Sequence, residues 1–178
     1  MALRDLTAAK HREAESTPFM KAVFARTLPF HLWVDWTYQK VIFYNAIETA
    51  AIKNLLIEDL KGILRTALLA QDFNIMNEQL NQYEIRKTTI EYHDYIKSIE
   101  TDAKKVLAHL YTWHMGDMFG GQAIKRIVPG SHRSLEFENA QELMTNLRAK
   151  LDDSMGDEAN IAFDWAIKCM KEYENDLA

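Results

Sequence analysis

The chain reads as all-α, a single compact multi-helical bundle over residues 1–178, and three observations predict this. Its 178 residues hold only six glycines and three prolines (Pro18, Pro29 and Pro129), so helix breakers are scarce. Apolar residues recur at spacings of three and four, the period of a helix with one buried face. Strand-like alternation is nowhere sustained, and no repeat or low-complexity linker divides the chain.

The elements follow in order. Leu3 to Glu15 reads as a first helix. Thr17-Pro18 supplies an N-cap and first-turn proline for a short second one that ends near Leu28-Pro29. Leu32 to Asn54 carries Trp33, Trp36, Val41, Phe43, Tyr44, Ile47 and Ile52 on more than one face, as expected of a helix buried on several sides. Ile57 to Leu69 reads as an amphipathic helix, followed by an irregular stretch to about Gln82 and a helix from Thr88 to Ser98. A glycine-containing helix runs from about Thr101 to Ile127, and Val128-Pro129-Gly130-Ser131 stops it. Ser131 to Glu138 reads as a loop, with helices at Asn139 to Asp152 and Glu158 to Asp176, giving seven or eight in all.

Composition narrows the function. A net charge of -5 and a pI near 5.7, with no long basic block, argue against nucleic acid as a partner. The one cysteine, Cys169, excludes an internal disulfide and any CxxC framework, which fits a reducing cytoplasm. No signal-peptide run is present, and no window reaches the ~18 apolar residues of a membrane span. The expectation is a soluble protein with no membrane partner.

Three of the six glycines, Gly116, Gly120 and Gly121, fall inside one helical stretch. Each costs about 0.5–1 kcal/mol relative to alanine, so the cluster calls for an offset. Gly116 and Gly120 lie one turn apart and leave bare backbone along one face. That strip suits a flat ligand, or else a close contact between two packed helices. Asp117 lies about 100° around the helix from Gly116, where a carboxylate can sit at a ligand's edge and hold water.

Among the six histidines, His11 stands out because Glu15 follows four residues later on the same helix face. A carboxylate there can take one ring N–H and leave the other nitrogen as a neutral iron ligand; a solvated surface pair is the plainer alternative. There is no HExxH, no di-iron Glu-x-x-His pair, no GxSxG elbow and no phosphate loop. Hydrolase and NTPase readings therefore lack support.

The segment Ala108-His109-Leu110-Tyr111-Thr112-Trp113-His114-Met115-Gly116-Asp117-Met118-Phe119-Gly120-Gly121-Gln122 resembles the distal-helix signature of the heme oxygenase family. Ala9-Lys10-His11-Arg12-Glu13-Ala14-Glu15 resembles its proximal segment. Weaker similarity runs through Arg65 to Asp72 and Ala162-Phe163, so it covers essentially the whole chain. The resemblance implies that heme b is both cofactor and substrate, clasped between a proximal and a kinked distal helix. His11 would be the axial ligand to iron and Glu15 its hydrogen-bond partner. Gly116, Gly120 and Gly121 would lie close to the porphyrin, with Phe163 lining the pocket. Asp117 would anchor waters that deliver protons on the O2 side, making Asp117, Gly116 and Gly120 the catalytic set. Arg4, Tyr111 and Arg148 would hold the propionates.

The implied reaction opens the ring with O2 to biliverdin, usually the α isomer, carbon monoxide and ferrous iron. Electrons would come from a reductant such as ferredoxin, possible feed for bilin pigment synthesis. Lys10, Arg12, Lys125 and Arg126 are candidates for docking an acidic donor. The chain departs from the family at Trp113, where arginine is usual, at Met144, where lysine is usual, and at Phe119, which replaces a small residue. Its brevity resembles bacterial, cyanobacterial or phage-encoded members, which implies a monomer or weak dimer in the cytoplasm, or the host's cytoplasm for a phage protein. Two alternatives stand: a heme carrier or sensor that leaves the ring intact, in which Asp117 has no purpose, and a thiaminase-like bundle, for which Cys169 lacks a base.

Overall fold

The computed structural model describes residues 2–79 and 82–178. Nine α-helices are present among the described residues: α1 (Leu3–Glu15), α2 (Pro18–Phe24), α3 (Phe30–Lys53), α4 (Thr66–Met76), α5 (Lys87–Ile99), α6 (Ala103–Phe119), α7 (Gly121–Ile127), α8 (Ala140–Ala149) and α9 (Gly156–Lys171). No strand occurs among them.

The expected α1 and the Thr17-Pro18 start of α2 are found, with the Thr17 hydroxyl accepting from the Met20 N–H at 3.3 Å. The second helix ends earlier than expected, at Phe24, because Arg26 takes a left-handed φ of 61°. The expected helix over Ile57 to Leu69 is a correction. Residues 56–65 form turns, and α4 begins only at Thr66 and continues through Met76, where an irregular stretch was expected. Leu55 at φ 56° and Gly62 at φ 83° interrupt the periodic pattern. Glu48, reaching over from α3, then caps the new helix by accepting from the N–H groups of Arg65 at 2.6 Å and Thr66 at 2.8 Å.

The glycine helix is two helices rather than one. α6 ends at Phe119 and α7 starts at Gly121, with Gly120 as the joint. Gly120 keeps a right-handed φ of -69°, so the break is a local redirection and not a left-handed stop.

α3 runs through the middle of the core and packs on α4, α5 and α6, with Phe43, Tyr44 and Ile47 fully buried. α9 is the neighbour that α1 and α6 share. Three contacts sew α1 to α9: Leu6 sits over Gly156, where a Cβ would meet its Cδ1 at 3.0 Å; the Asn160 amide donates to Leu6 O at 3.3 Å; and Lys10 pairs with Asp164 at 2.7 Å. Beyond α9 the chain is clipped by Arg86, which pairs with Asp35 at 2.7 Å and Asp176 at 3.0 Å.

No helix among the described residues is long and apolar enough to cross a membrane.

Candidate functional site

His11 projects from the exposed side of α1, and Phe163 of α9 meets its ring edge-on at 5.8 Å between centroids. Its Nε2 lies 3.6 Å from Glu15 Oε1, while Nδ1 makes no hydrogen bond to any of the described residues. A neutral ring can turn one nitrogen to the carboxylate and keep the other as a lone-pair donor. No cluster of three or more His, Cys, Asp or Glu side chains exists among the described residues, and a metal at His11 would have one protein ligand.

The glycine strip is open. α6 is buried from Val106 to Met118 except at half-buried Tyr111 and exposed Gly116; Phe119 and Gly120 are exposed beyond it. A Cβ built on Gly116 would touch nothing within 4 Å, and one on Gly120 would meet only the Gly116 carbonyl, at 3.2 Å. No helix among the described residues packs against this face, which removes the helix-contact explanation for these two glycines. Gly121 differs: it is buried, and a Cβ there would meet Leu135 Cδ2 at 2.9 Å. Packing of the loop after α7 accounts for it.

Beside the apolar contact of Trp113 with Phe43, a polar strip runs between α6 and α3. Lys40, Tyr44 and Glu48 succeed one another at every fourth residue of α3 and face Asp117 and His114. Lys40 Nζ lies 3.1 Å from Asp117 Oδ1, and the Tyr44 hydroxyl donates to Asp117 Oδ2 at 2.6 Å. Burial, with the Asp117 charge, pushes the Tyr44 pKa well above its usual value, so the phenol remains a donor. Tyr44 stacks on His114 at 5.0 Å, and His114 Nε2 contacts Glu48 Oε2 at 2.8 Å. Burial raises the Glu48 pKa, but the hydrogen bonds from His114, Thr66 and Arg65 outweigh it and the net shift is downward.

A second chain of bonds lies behind α6. Trp113 Nε1–H donates to the Tyr92 hydroxyl at 2.8 Å, Tyr92 lies 2.6 Å from His109 Nδ1, and His109 Nε2 lies 2.9 Å from Glu158 Oε1. The Tyr95 hydroxyl donates to the same carboxylate at 2.5 Å. Every member is satisfied when His109 is neutral with its proton on Nε2, in line with the burial that lowers its pKa. Trp113 therefore points into the core, against Phe43 at 4.7 Å, and not toward a ligand's edge.

Arg4 and Arg148 are exposed, and the fields of both reach Tyr111, whose pKa is raised by burial and pulled back by the two guanidiniums. Arg148 also lies over the exposed Phe119 ring at 5.6 Å. Of the four cations expected to dock a donor, Lys10 is paired with Glu13 and Asp164, and Lys125 with Glu136 at 3.5 Å. Arg12 and Arg126 are exposed and carry no carboxylate partner among the described residues. An open depression of about 640 Å³ lies elsewhere, between α2 and the C-terminal turn, and touches none of these residues.

Sequence reasoning missed Lys40, Tyr44 and Glu48. The available signal was a lysine and a glutamate set four residues either side of a tyrosine on the apolar side of a core helix.

Comparison with known proteins bears on the same elements. The chain is 27% identical to the heme oxygenase of Porphyra purpurea over 98% of its own length and 86% of the relative's, and 28% identical to that of Guillardia theta over 85% and 66%. Among solved structures, heme oxygenase-1 of the cyanobacterium Synechocystis, in complex with heme, superposes with a TM-score of 0.84 at 22% identity, covering 98% of this chain and 91% of that one. Heme oxygenase-2 of the same organism, in complex with heme and NO, gives 0.84 at 23%, over 98% and 84%. The sequence profile of the heme oxygenase family matches residues 1–149, and the chain belongs to that family.

Proposed function

We propose that this protein binds heme b between His11 and the open strip at Gly116 and Gly120, and opens the ring with O2 to biliverdin, carbon monoxide and ferrous iron. The observation that carries the reading is the vacant Cβ position at Gly116, the one exposed residue between Val106 and Met118 of α6. A bare, accessible backbone face on α6 and an exposed imidazole with an unengaged nitrogen on α1 suit a flat ring that carries a metal.

Each residue then has a task. Bound heme supplies the redox-active iron and is itself the substrate. His11, with Glu15 beside it, would hold the iron, and Phe163 meets its ring edge-on. Gly116 and Gly120 let the backbone approach one face, and Gly121 serves that face indirectly by seating the loop at Leu135. Arg4, Arg148 and Tyr111 offer two guanidiniums and a phenol to two propionates. Asp117 has one donor on each oxygen, and its remaining lone pairs would hold water that relays protons to the bound heme. The α isomer of biliverdin, a ferredoxin-type donor docking near Arg12 and Arg126, and a cytoplasmic setting complete the reading.

The test is aerobic turnover: hemin and a reducing system are added and the spectrum followed. Decay of the Soret band with growth of biliverdin absorbance is expected. A Soret band that persists under the same conditions identifies a carrier and overturns the proposal.

A further inference from the structure

We infer that Lys40 is a positioning residue for the distal chemistry, holding Asp117 as an oriented anion in a pair of no net charge beside the open strip. The inference rests on the heme-binding reading above and adds a residue to it.

Lys40 lies on the same buried stripe of α3 as Trp36, Phe43, Tyr44 and Ile47, and its charged neighbour on that stripe is Glu48, two turns on and engaged with His114 instead. The Lys40 side chain is only 10% exposed, as is that of Asp117. Its ammonium has one carboxylate partner, Asp117 Oδ1 at 3.1 Å, and lies 4.9 Å from the centroid of the Tyr44 ring. Taking both charges out of water is costly, and apolar replacements of similar size commonly match or exceed the stability of such a pair. Stability therefore does not explain why the chain places a lysine here. Location does: Asp117 immediately follows the one exposed residue within the buried run of α6.

The two donors divide the work. Tyr44 holds Oδ2 with a neutral hydroxyl and fixes the plane of the carboxylate. Lys40 holds Oδ1 with a full charge and cancels the negative field that a lone buried carboxylate would direct at an oxygen-side ligand. The remaining lone pairs of Asp117 are then free to orient water without the anion repelling what that water serves.

The carbon-monoxide complex of the ferrous heme-loaded protein reads this field directly, because a negative potential at the bound ligand raises the C–O stretching frequency and a positive one lowers it. Lys40→Met is expected to raise the frequency and Asp117→Asn, which leaves the ammonium uncompensated, to lower it. Lys40→Arg keeps the charge and should restore the parental band, and it covers the case in which the methionine variant does not fold. Turnover of Lys40→Met is expected to fall about tenfold at unchanged heme affinity. A band that stays in place in Lys40→Met, or that moves the same way in both charge variants, overturns the role of Lys40. If the arginine variant folds but does not return the parental band, that also counts against it. Failure of the parent itself to form a heme–carbon monoxide complex would overturn the site reading, and this inference with it.

Discussion

The Tyr44 hydroxyl and Asp117 Oδ2 are 2.6 Å apart across the α3–α6 contact, which joins the middle of the core to the open face of α6. The phenol stays protonated because burial and the neighbouring carboxylate both oppose its ionisation. Tyr44→Phe should therefore retain heme binding, cost about 1–2 kcal/mol of stability and slow ring opening. Denaturant titration of the heme-free protein and single-turnover spectra check the two effects separately.

The glycines separate into two kinds, and alanine tells them apart. Gly116→Ala adds a methyl to open space, so the heme-free protein should gain about 0.5–1 kcal/mol from helix propensity while its affinity for hemin falls. Gly121→Ala drives a Cβ against Leu135 and should lose about 1–3 kcal/mol with hemin affinity kept. Melting curves of the two variants should move in opposite senses, and hemin titrations should shift for Gly116→Ala alone.

Tyr92 stands at the centre of the buried chain from Trp113 to Glu158, accepting from one ring and contacting the other. Tyr92→Phe strands the Trp113 N–H and His109 Nδ1 in the core, at about 1–3 kcal/mol for each group. A denaturation midpoint equal to that of the parent would contradict the network.

Acid should weaken the fold through the same chain. Burial lowers the His109 pKa from 6.5, against the pull of Glu158, so between those values the unfolded chain binds a proton that the folded one rejects. That contribution is present above pH 6.5 and is lost as pH falls toward the folded value. Burial raises the Glu158 pKa, yet the bonds from His109 and Tyr95 outweigh it and the net shift from 4.5 is downward, so its contribution is lost further into acid. Stability measured by urea unfolding should decline from pH 7.5 to pH 4, and His109→Asn should flatten the part of the slope near pH 6.5.

Sequence alone made much of this legible where a local rule operates. Thr17-Pro18 announces a helix start, and the period of three and four sets α1 within its observed bounds. Bare backbone at Gly116 and Gly120 could be read from spacing, but whether another helix fills it is a tertiary fact. The apolar pattern over Ile57 to Leu69 misled because turn residues at Leu55 and Gly62 and a remote cap from Glu48 decide where α4 begins. Lys40 and Asp117 are 77 positions apart, and no local rule pairs them.

The central claim is that a porphyrin sits between His11 and the strip at Gly116. The measurement that meets it most directly is the resonance Raman spectrum of the ferrous hemin-loaded protein beside that of His11→Ala. The account predicts an iron–histidine stretching band in the parent that is missing from the variant and returns as an iron–imidazole band on adding free imidazole. The same band in both proteins would place the iron on another ligand and contradict the account.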